Sequence, residues 1–196
     1  MDFKEFPKIS RLSRDIVITE KLDGTNAQVF IQEIPKGGGM LENAPIIETV
    51  GNLALYAGSR TKWITPEDDN YGFARWVKEN AGQLAELGVG AHFGEWWGQG
   101  IQRRYNAPKK AWSLFNVHKW AEVRPACCDV VPLLYRGMMD TGIIEHCLDT
   151  LRLEGSKASP GFMNPEGVVI FHTASGHLYK KTIEKDEEYK SKSNPG

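Results

Sequence analysis

Two runs of strand-forming residues, DIVITE (Asp15–Glu20) and NAQVFIQEI (Asn26–Ile34), are separated only by KLDGT. Both runs are rich in β-branched side chains, and the second partly alternates between apolar and polar residues, the signature of a strand. The break between them is too short to wander. Lys21 and Asp23 therefore sit on a framework held from both sides, with Gly24 letting the backbone turn close to a ligand. Asp-Gly is also ordinary turn chemistry. Taken alone, the stretch reads equally well as a surface turn with Glu20 and Lys21 as solvated charges.

The rest of the chain reads as more strands and two main helices. ETVGNLALYAGSR (Glu48–Arg60) suggests one or two short strands, and PKGGG (Pro35–Gly39) a loop. A helix is expected from Thr65 as its cap, with Pro66 in its first turn and Gly88 ending it. AHFGEWWG (Ala91–Gly98) and AWSLFNVHKW (Ala111–Trp120) read as strands, as does DVVPLLY (Asp129–Tyr135), where Pro132 imposes an edge or a bend. GIIEHCLDTLRL (Gly142–Leu153) places Ile143, Ile144, Cys147, Leu148 and Leu151 on one helical face. EGVVIFHTASGHLYKKTI (Glu166–Ile183) reads as a hairpin. The order of elements is that of an α+β protein rather than a strict βαβ alternation.

Bulk properties narrow the function. A net charge of −1 supplies no global field toward nucleic acid, so any such contact needs a local basic patch. No apolar run reaches the roughly 18–20 residues that span a bilayer. The N-terminus has no apolar core of a secretory signal. Three cysteines are too few for a disulfide framework and suggest free thiols, and Cys127, Cys128, Cys147 and His146 fit no common zinc spacing. The expectation is a soluble cytoplasmic protein, in the host cytoplasm if phage-encoded.

A lysine with a pKa near 10.4 has almost no free amine at neutral pH; liberating it costs about 4 kcal/mol, which burial or a nearby cation can offset. The residues downstream give Lys21 such a setting. EKLDGTN (Glu20–Asn26) resembles the first motif of the covalent nucleotidyltransferases: DNA ligases, RNA ligases and capping enzymes. GSR (Gly58–Arg60), HFGEWWG (His92–Gly98), LFNVHKW (Leu114–Trp120), PEGVVI (Pro165–Ile170) and LYKKT (Leu178–Thr182) resemble the later motifs in the family's order. Each match is weak alone; six in order are a strong signal. The pattern is most similar to the type-2 RNA ligases of phages and RNA editing. It departs from them at Asp23, where the best-known phage enzyme has His, and at the adjacent Lys180 and Lys181, where the family has one residue between its two lysines. Adjacent strand residues face opposite sides, so one of these lysines faces the nucleotide and a second cation comes from elsewhere, Lys185 being a candidate.

The resemblance implies a nucleotidyltransferase fold, ATP-grasp-like, with antiparallel sheets flanked by helices and the nucleotide pocket between them. It implies an ATP-dependent RNA ligase in which Lys21 forms a lysyl–AMP intermediate, AMP passes to a 5′-phosphate, and a 3′-hydroxyl displaces it. Catalytic roles fall to Lys21, Glu95, Glu166 and Lys180. Nucleotide contacts fall to Glu20, Asn26, Arg60, Phe115 and Lys181. Glu95 and Glu166 would hold Mg²⁺ or Mn²⁺. Each also has a plainer reading: Glu95 and Glu166 as strand residues, Phe115 as core, Lys180 and Lys181 as edge-strand charges.

Arg103, Arg104 and Lys109, with Lys110, Tyr105 and Trp112, form a basic segment with interleaved aromatics that suits a nucleic-acid strand, or equally a solvated loop. The expected partners are RNA with 5′-phosphate and 3′-hydroxyl ends, nicked or single-stranded, and DNA as a weaker alternative. Other readings are a small DNA ligase, a guanylyltransferase, or a nucleotide- or RNA-binding module without turnover. Residues 1–184 form the expected adenylation domain and 185–196 a charged tail. With no separate C-terminal OB or helical domain expected, three alternatives stand: this chain seals with its own surface, a protein partner supplies that part, or the chain is a fragment.

Overall fold

The computed structural model describes residues 3–35, 41 and 43–184. The expected tail, Lys185, and most of the Pro35–Gly39 loop lie outside the described residues. The chain runs through β1 (Asp15–Lys21), β2 (Thr25–Glu33), β3 (Glu48–Val50), β4 (Leu53–Gly58) and β5 (Trp63–Ile64). Two short helices follow, α1 (Phe73–Glu79) and α2 (Ala81–Leu84), then β6 (Gly90–Gly98), β7 (Lys110–Leu114), α3 (Val117–Trp120) and β8 (Asp129–Val130). β9 (Leu133–Met138), α4 (Thr141–Glu154), β10 (Gly167–His172) and β11 (His177–Thr182) complete it. The architecture is mixed, with antiparallel sheets and few helices, as the order of elements suggested.

The chain divides into two compact units, one of residues up to Lys21 together with those from Leu133 onward, the other Leu22–Pro132. The first unit holds a four-stranded sheet ordered β11-β10-β1-β9, all antiparallel. Ile16 and Ile18 of β1 and Val168 and Ile170 of β10 point to one face, where they bury Cys147, Leu148 and Leu151 of α4. Asp140 caps that helix, its side chain accepting the Gly142 N–H at 2.7 Å.

The second unit holds the larger sheet, ordered β3-β4-β2-β6-β7-β8 with β5 on β4. Its pairs are antiparallel except β7 with β8. Ala27, Val29 and Ile31 of β2 join Leu55, Trp96, Trp112 and Leu114 in a core covered by Phe73, Val77 and Leu84. β1 and β2, only three residues apart, thus belong to different sheets.

Two expectations are corrected. Thr65 does not open a helix. Its hydroxyl accepts the Glu67 and Asp68 amides at 3.2 and 3.1 Å in a tight turn, and the helix begins at Phe73 after Gly72 in the left-handed region. Thr65, Pro66 and the acidic run satisfied the cap pattern locally, but the apolar face starts only at Phe73. Likewise, the strand read over Ala111–Trp120 stops at Leu114. Asn116 accepts the Lys119 N–H at 3.1 Å and caps α3 in its place. Pro132 separates β8 from β9, as its missing N–H requires.

Candidate functional site

In the first unit, β1 ends at Lys21 opposite Gly167 of β10. A side chain at Gly167 would meet the Lys181 carbonyl at 2.3 Å, so only glycine fits where the strands come together. This close approach brings Glu166 to Lys21: the lysine Nζ donates to Oε2 at 2.6 Å, with the two side chains 23% and 17% exposed. Alternation decides the neighbours. Glu20 points with Ile16, Ile18 and Val168 toward the α4 face, and Lys21 points away from it.

β11 resolves the two adjacent lysines in the same way. Lys181 pairs across from Val168, on the α4 face, where it forms an ion pair with Glu145 of α4. Lys180 pairs across from Val169, on Lys21's face, and is exposed. Lys21, Glu166 and Lys180 therefore come together on one surface of this unit, and Lys181 does not join them.

Glu20 is 1% exposed. Its Oε2 accepts the backbone N–H groups of Lys157 and Ala158 at 2.7 and 3.1 Å, which pins the loop after α4 to β1. Burial pushes its carboxyl above the ordinary range; the hydrogen bonds from Ser156, Ala158 and Lys157 oppose that without cancelling it. Glu20 is thus engaged with its own unit and turned away from Lys21.

In the second unit, the face of the sheet opposite the core carries Asn26, Gln28, Phe93 and Glu95. Asn26 is the cross-strand partner of Glu95, and Gln28 that of Phe93. Phe115, one residue past β7, donates its N–H to the Phe93 carbonyl at 3.0 Å. The row Phe115, Phe93, Gln28 lies beside the row Glu95, Asn26. Phe93 and Phe115 are 48% and 39% exposed. Two adjacent phenylalanines left about half in water forfeit roughly half of the ~1.5–3 kcal/mol that full burial of each would contribute, a cost that a stacked ligand would recover. Phe93 and Gln28 escaped the sequence reading, because their value lies in register with Glu95 and Asn26, which no spacing within one strand displays.

The turn between β1 and β2 is fixed by β6 and the loop beyond it. Gly24 donates its N–H to Glu95 Oε1 at 3.0 Å, and a side chain there would meet the Trp96 carbonyl at 2.3 Å. The Asp23 N–H donates to Tyr105 Oη at 2.9 Å, and its carboxylate accepts from Arg103 Nε at 3.0 Å. Gln102, Arg104, Tyr105 and Asn106 all have positive φ, between 44° and 61°. Left-handed backbone costs roughly 1–2 kcal/mol per non-glycine residue; strain on that scale persists where the surroundings over-determine it, often at functional sites.

Arg103 is thereby engaged with Asp23, and Arg104 and Lys109 are exposed. Tyr105 and Trp112 are both fully buried. The expected interleaving of cations with accessible aromatics is corrected: Tyr105 packs on Trp97, and Trp112 lies in the core. Arg60 is exposed in the turn after β4, where Ser59 N–H meets the Lys62 carbonyl at 2.8 Å.

Glu95 and Glu166 offer hard oxygen donors, and no group of three or more candidate metal ligands occurs among the described residues. Each carboxylate, taken within its own unit, fits an ion such as Mg²⁺, which takes one or two carboxylates and completes its shell with water and phosphate. Neither fits a protein-caged zinc.

The RNA ligase sequence model matches residues 14–182, and the chain belongs to the RNA ligase family. Solved structures of Naegleria gruberi RNA ligase share its fold. A mutant with AMP and Mn aligns at 16% identity and a TM-score of 0.57, covering 87% of this chain and 50% of the other. A second mutant, with ATP and Mn, aligns at 16% identity and 0.53 over the same shares. An apo mutant gives 16% and 0.54, again over 87% and 50%. The chain spans about half the length of these solved relatives. Among curated proteins, none matches it.

Proposed function

We propose that this chain is the adenylylating part of an ATP-dependent RNA ligase of the type-2 kind, with a nucleotidyltransferase fold and Lys21 as the nucleophile. The observation that carries the reading is the Lys21–Glu166 pair at 2.6 Å, partly exposed, with Lys180 on the same face. The family supports RNA as substrate, and the ATP, AMP and Mn in the structures of the Naegleria relatives support the choice of ligands.

In the proposed reaction the Lys21 amine, after losing a proton, attacks the α-phosphorus of ATP. A nitrogen–phosphorus bond forms, the bond to the bridging oxygen breaks, and pyrophosphate leaves. Glu166 alone cannot serve as the base. Carboxylates in general are far weaker bases than amines, by about 6 pKa units in model peptides, a gap of about 8 kcal/mol. Added positive charge is required. Lys180 supplies one part beside the α-phosphate, and a divalent ion held by a carboxylate such as Glu166 would supply the rest while neutralising phosphoryl charge. Phe115 and Phe93 offer the adenine a stacking surface. Asn26 and Arg60 hydrogen-bond ribose or phosphate. AMP then passes to an RNA 5′-phosphate, and a 3′-hydroxyl displaces it. Lys181 and Glu20 keep structural tasks in this scheme.

Incubation with α-labelled ATP and Mg²⁺ should label the protein, and Lys21→Ala should abolish the label. Equal labelling of the variant would refute the assignment of the nucleophile. Tight AMP or RNA binding without any label would favour a binding module that lacks turnover.

A further inference from the structure

The basic segment singled out in the sequence does not act as one patch. Arg103 goes to Asp23, while Lys109 and Lys110 turn to a different place, a cleft of about 590 Å³ within the second unit. Arg75, Trp76 and Asn80 from α1 and its C-terminus form one wall. Lys110 lines it from the start of β7, Lys109 from the residue before it, and Cys127 from the segment before β8. Trp96 lies at its base. Because Trp96 follows Glu95 on β6, it faces the other side of the sheet. The cleft is therefore separate from the surface of Asn26, Glu95 and Phe93.

Its chemistry is specific. Three cations stand in it on a chain whose net charge is −1. Two are tethered: Lys110 Nζ donates to the Tyr71 carbonyl at 2.6 Å, and the Arg75 guanidinium to that of Pro66 at 3.3 Å. A tethered cation loses less side-chain freedom when a ligand arrives. The Trp76 ring is fixed by stacking on Phe73 at 5.6 Å and is only half-buried. Gln99 offers an amide for the edge of a base, while the Asn80 side-chain nitrogen already donates to the Trp76 carbonyl at 2.8 Å. Glu79 and Asp129 on the rim repel a dense polyanion, so the cleft suits a few spaced charges rather than a duplex face.

Spaced cations beside a fixed indole are the elements of a single-strand site, where phosphates meet the cations and a base stacks on the ring. We propose that this cleft binds single-stranded RNA, taking a segment of the substrate strand away from the nucleotide chemistry. The proposal rests on the RNA ligase reading and adds a docking site to it.

The test uses the whole chain and a labelled single-stranded oligouridylate, read by fluorescence anisotropy at low salt. Arg75→Glu should weaken binding about tenfold or more, and Arg75→Gln less, with thermal melts checking that both fold. The slope of log affinity against log salt should flatten by about 0.7 for each phosphate that the variant no longer neutralises. A second readout needs no variant. Cys127 lines the cleft, and its hydrogen bond with Cys128 lowers its pKa below the ordinary thiol value, which makes it the thiol to alkylate. Saturating RNA should slow alkylation of Cys127 severalfold and leave buried Cys147 unchanged. RNA that binds without protecting Cys127, binding unaffected by Arg75→Glu, or no binding at low salt would each overturn the proposal. ATP labelling of the unmodified protein is scored separately. Labelling without RNA binding removes the cleft and keeps the ligase reading; protection without labelling does the reverse.

Discussion

An amine that donates to a carboxylate at 2.6 Å must give up that contact to attack phosphorus, and this sets the expectations for single residues. If Glu166 merely paired with Lys21, removing it would free the amine and speed labelling. If it also positions charge on the nucleotide side, removal slows it. The second outcome is expected: Glu166→Gln should cut single-turnover labelling about 100-fold or more, on the scale of removing one preorganised electrostatic group. Lys180→Ala should cost about as much. Lys181→Ala should change the rate little, because its partner Glu145 is half exposed and such pairs contribute at most about 1 kcal/mol. Reversed effects of the two lysines would show that Lys181, not Lys180, faces the nucleotide. Asp23, with no assigned part in the sequence, has one in the fold. It ties the turn after Lys21 to the strained loop through Arg103 and Tyr105.

At the scale of elements, the turn between β1 and β2 depends on a glycine that nothing can replace without movement. Gly24→Ala places a carbon 2.3 Å from the Trp96 carbonyl, so overpacking of about 1–3 kcal/mol is expected, with loss of labelling in the same variant. Urea unfolding measures the first and the label the second. Phe93→Ala and Phe115→Ala should each cost only about 1 kcal/mol of stability, since both rings are already about half exposed, and raise the ATP concentration needed for half-maximal labelling. Strands were the legible part of this chain, because β1, β2, β6 and the β10–β11 hairpin carry their period in their own residues. The helix expected from Thr65 and the strand expected to Trp120 failed for a shared reason. Cap and turn residues are local signals, and what stops or starts an element here is the core that Phe73 and Leu114 enter.

For the whole molecule, what the sequence could show was the order of Lys21, Glu95, Glu166 and Lys180 along the chain, a pattern that survives any error in element boundaries. Hidden in it were the facts that depend on register between strands: Lys181 turned to α4, Phe93 beside Phe115, and Glu20 buried. The last has a global consequence. The folded-state pKa of Glu20 lies above its unfolded value, so ionisation opposes folding. The wild type should lose stability as pH rises from the unfolded value, near 4.3, through the folded one. Glu20→Gln carries no such charge. Its melting temperature relative to wild type should therefore be higher at about pH 8 than at about pH 4, and an unchanged difference would mean that Glu20 is not buried as described.

The central claim is that one amine, on Lys21, carries the nucleotide. Incubating the protein with ATP and Mn²⁺, digesting it and locating AMP by peptide mass spectrometry tests that directly. The adduct is expected on the peptide that contains Lys21, and it should vanish when pyrophosphate is added back. AMP on any other residue, or no adduct while ATP is bound, would contradict it.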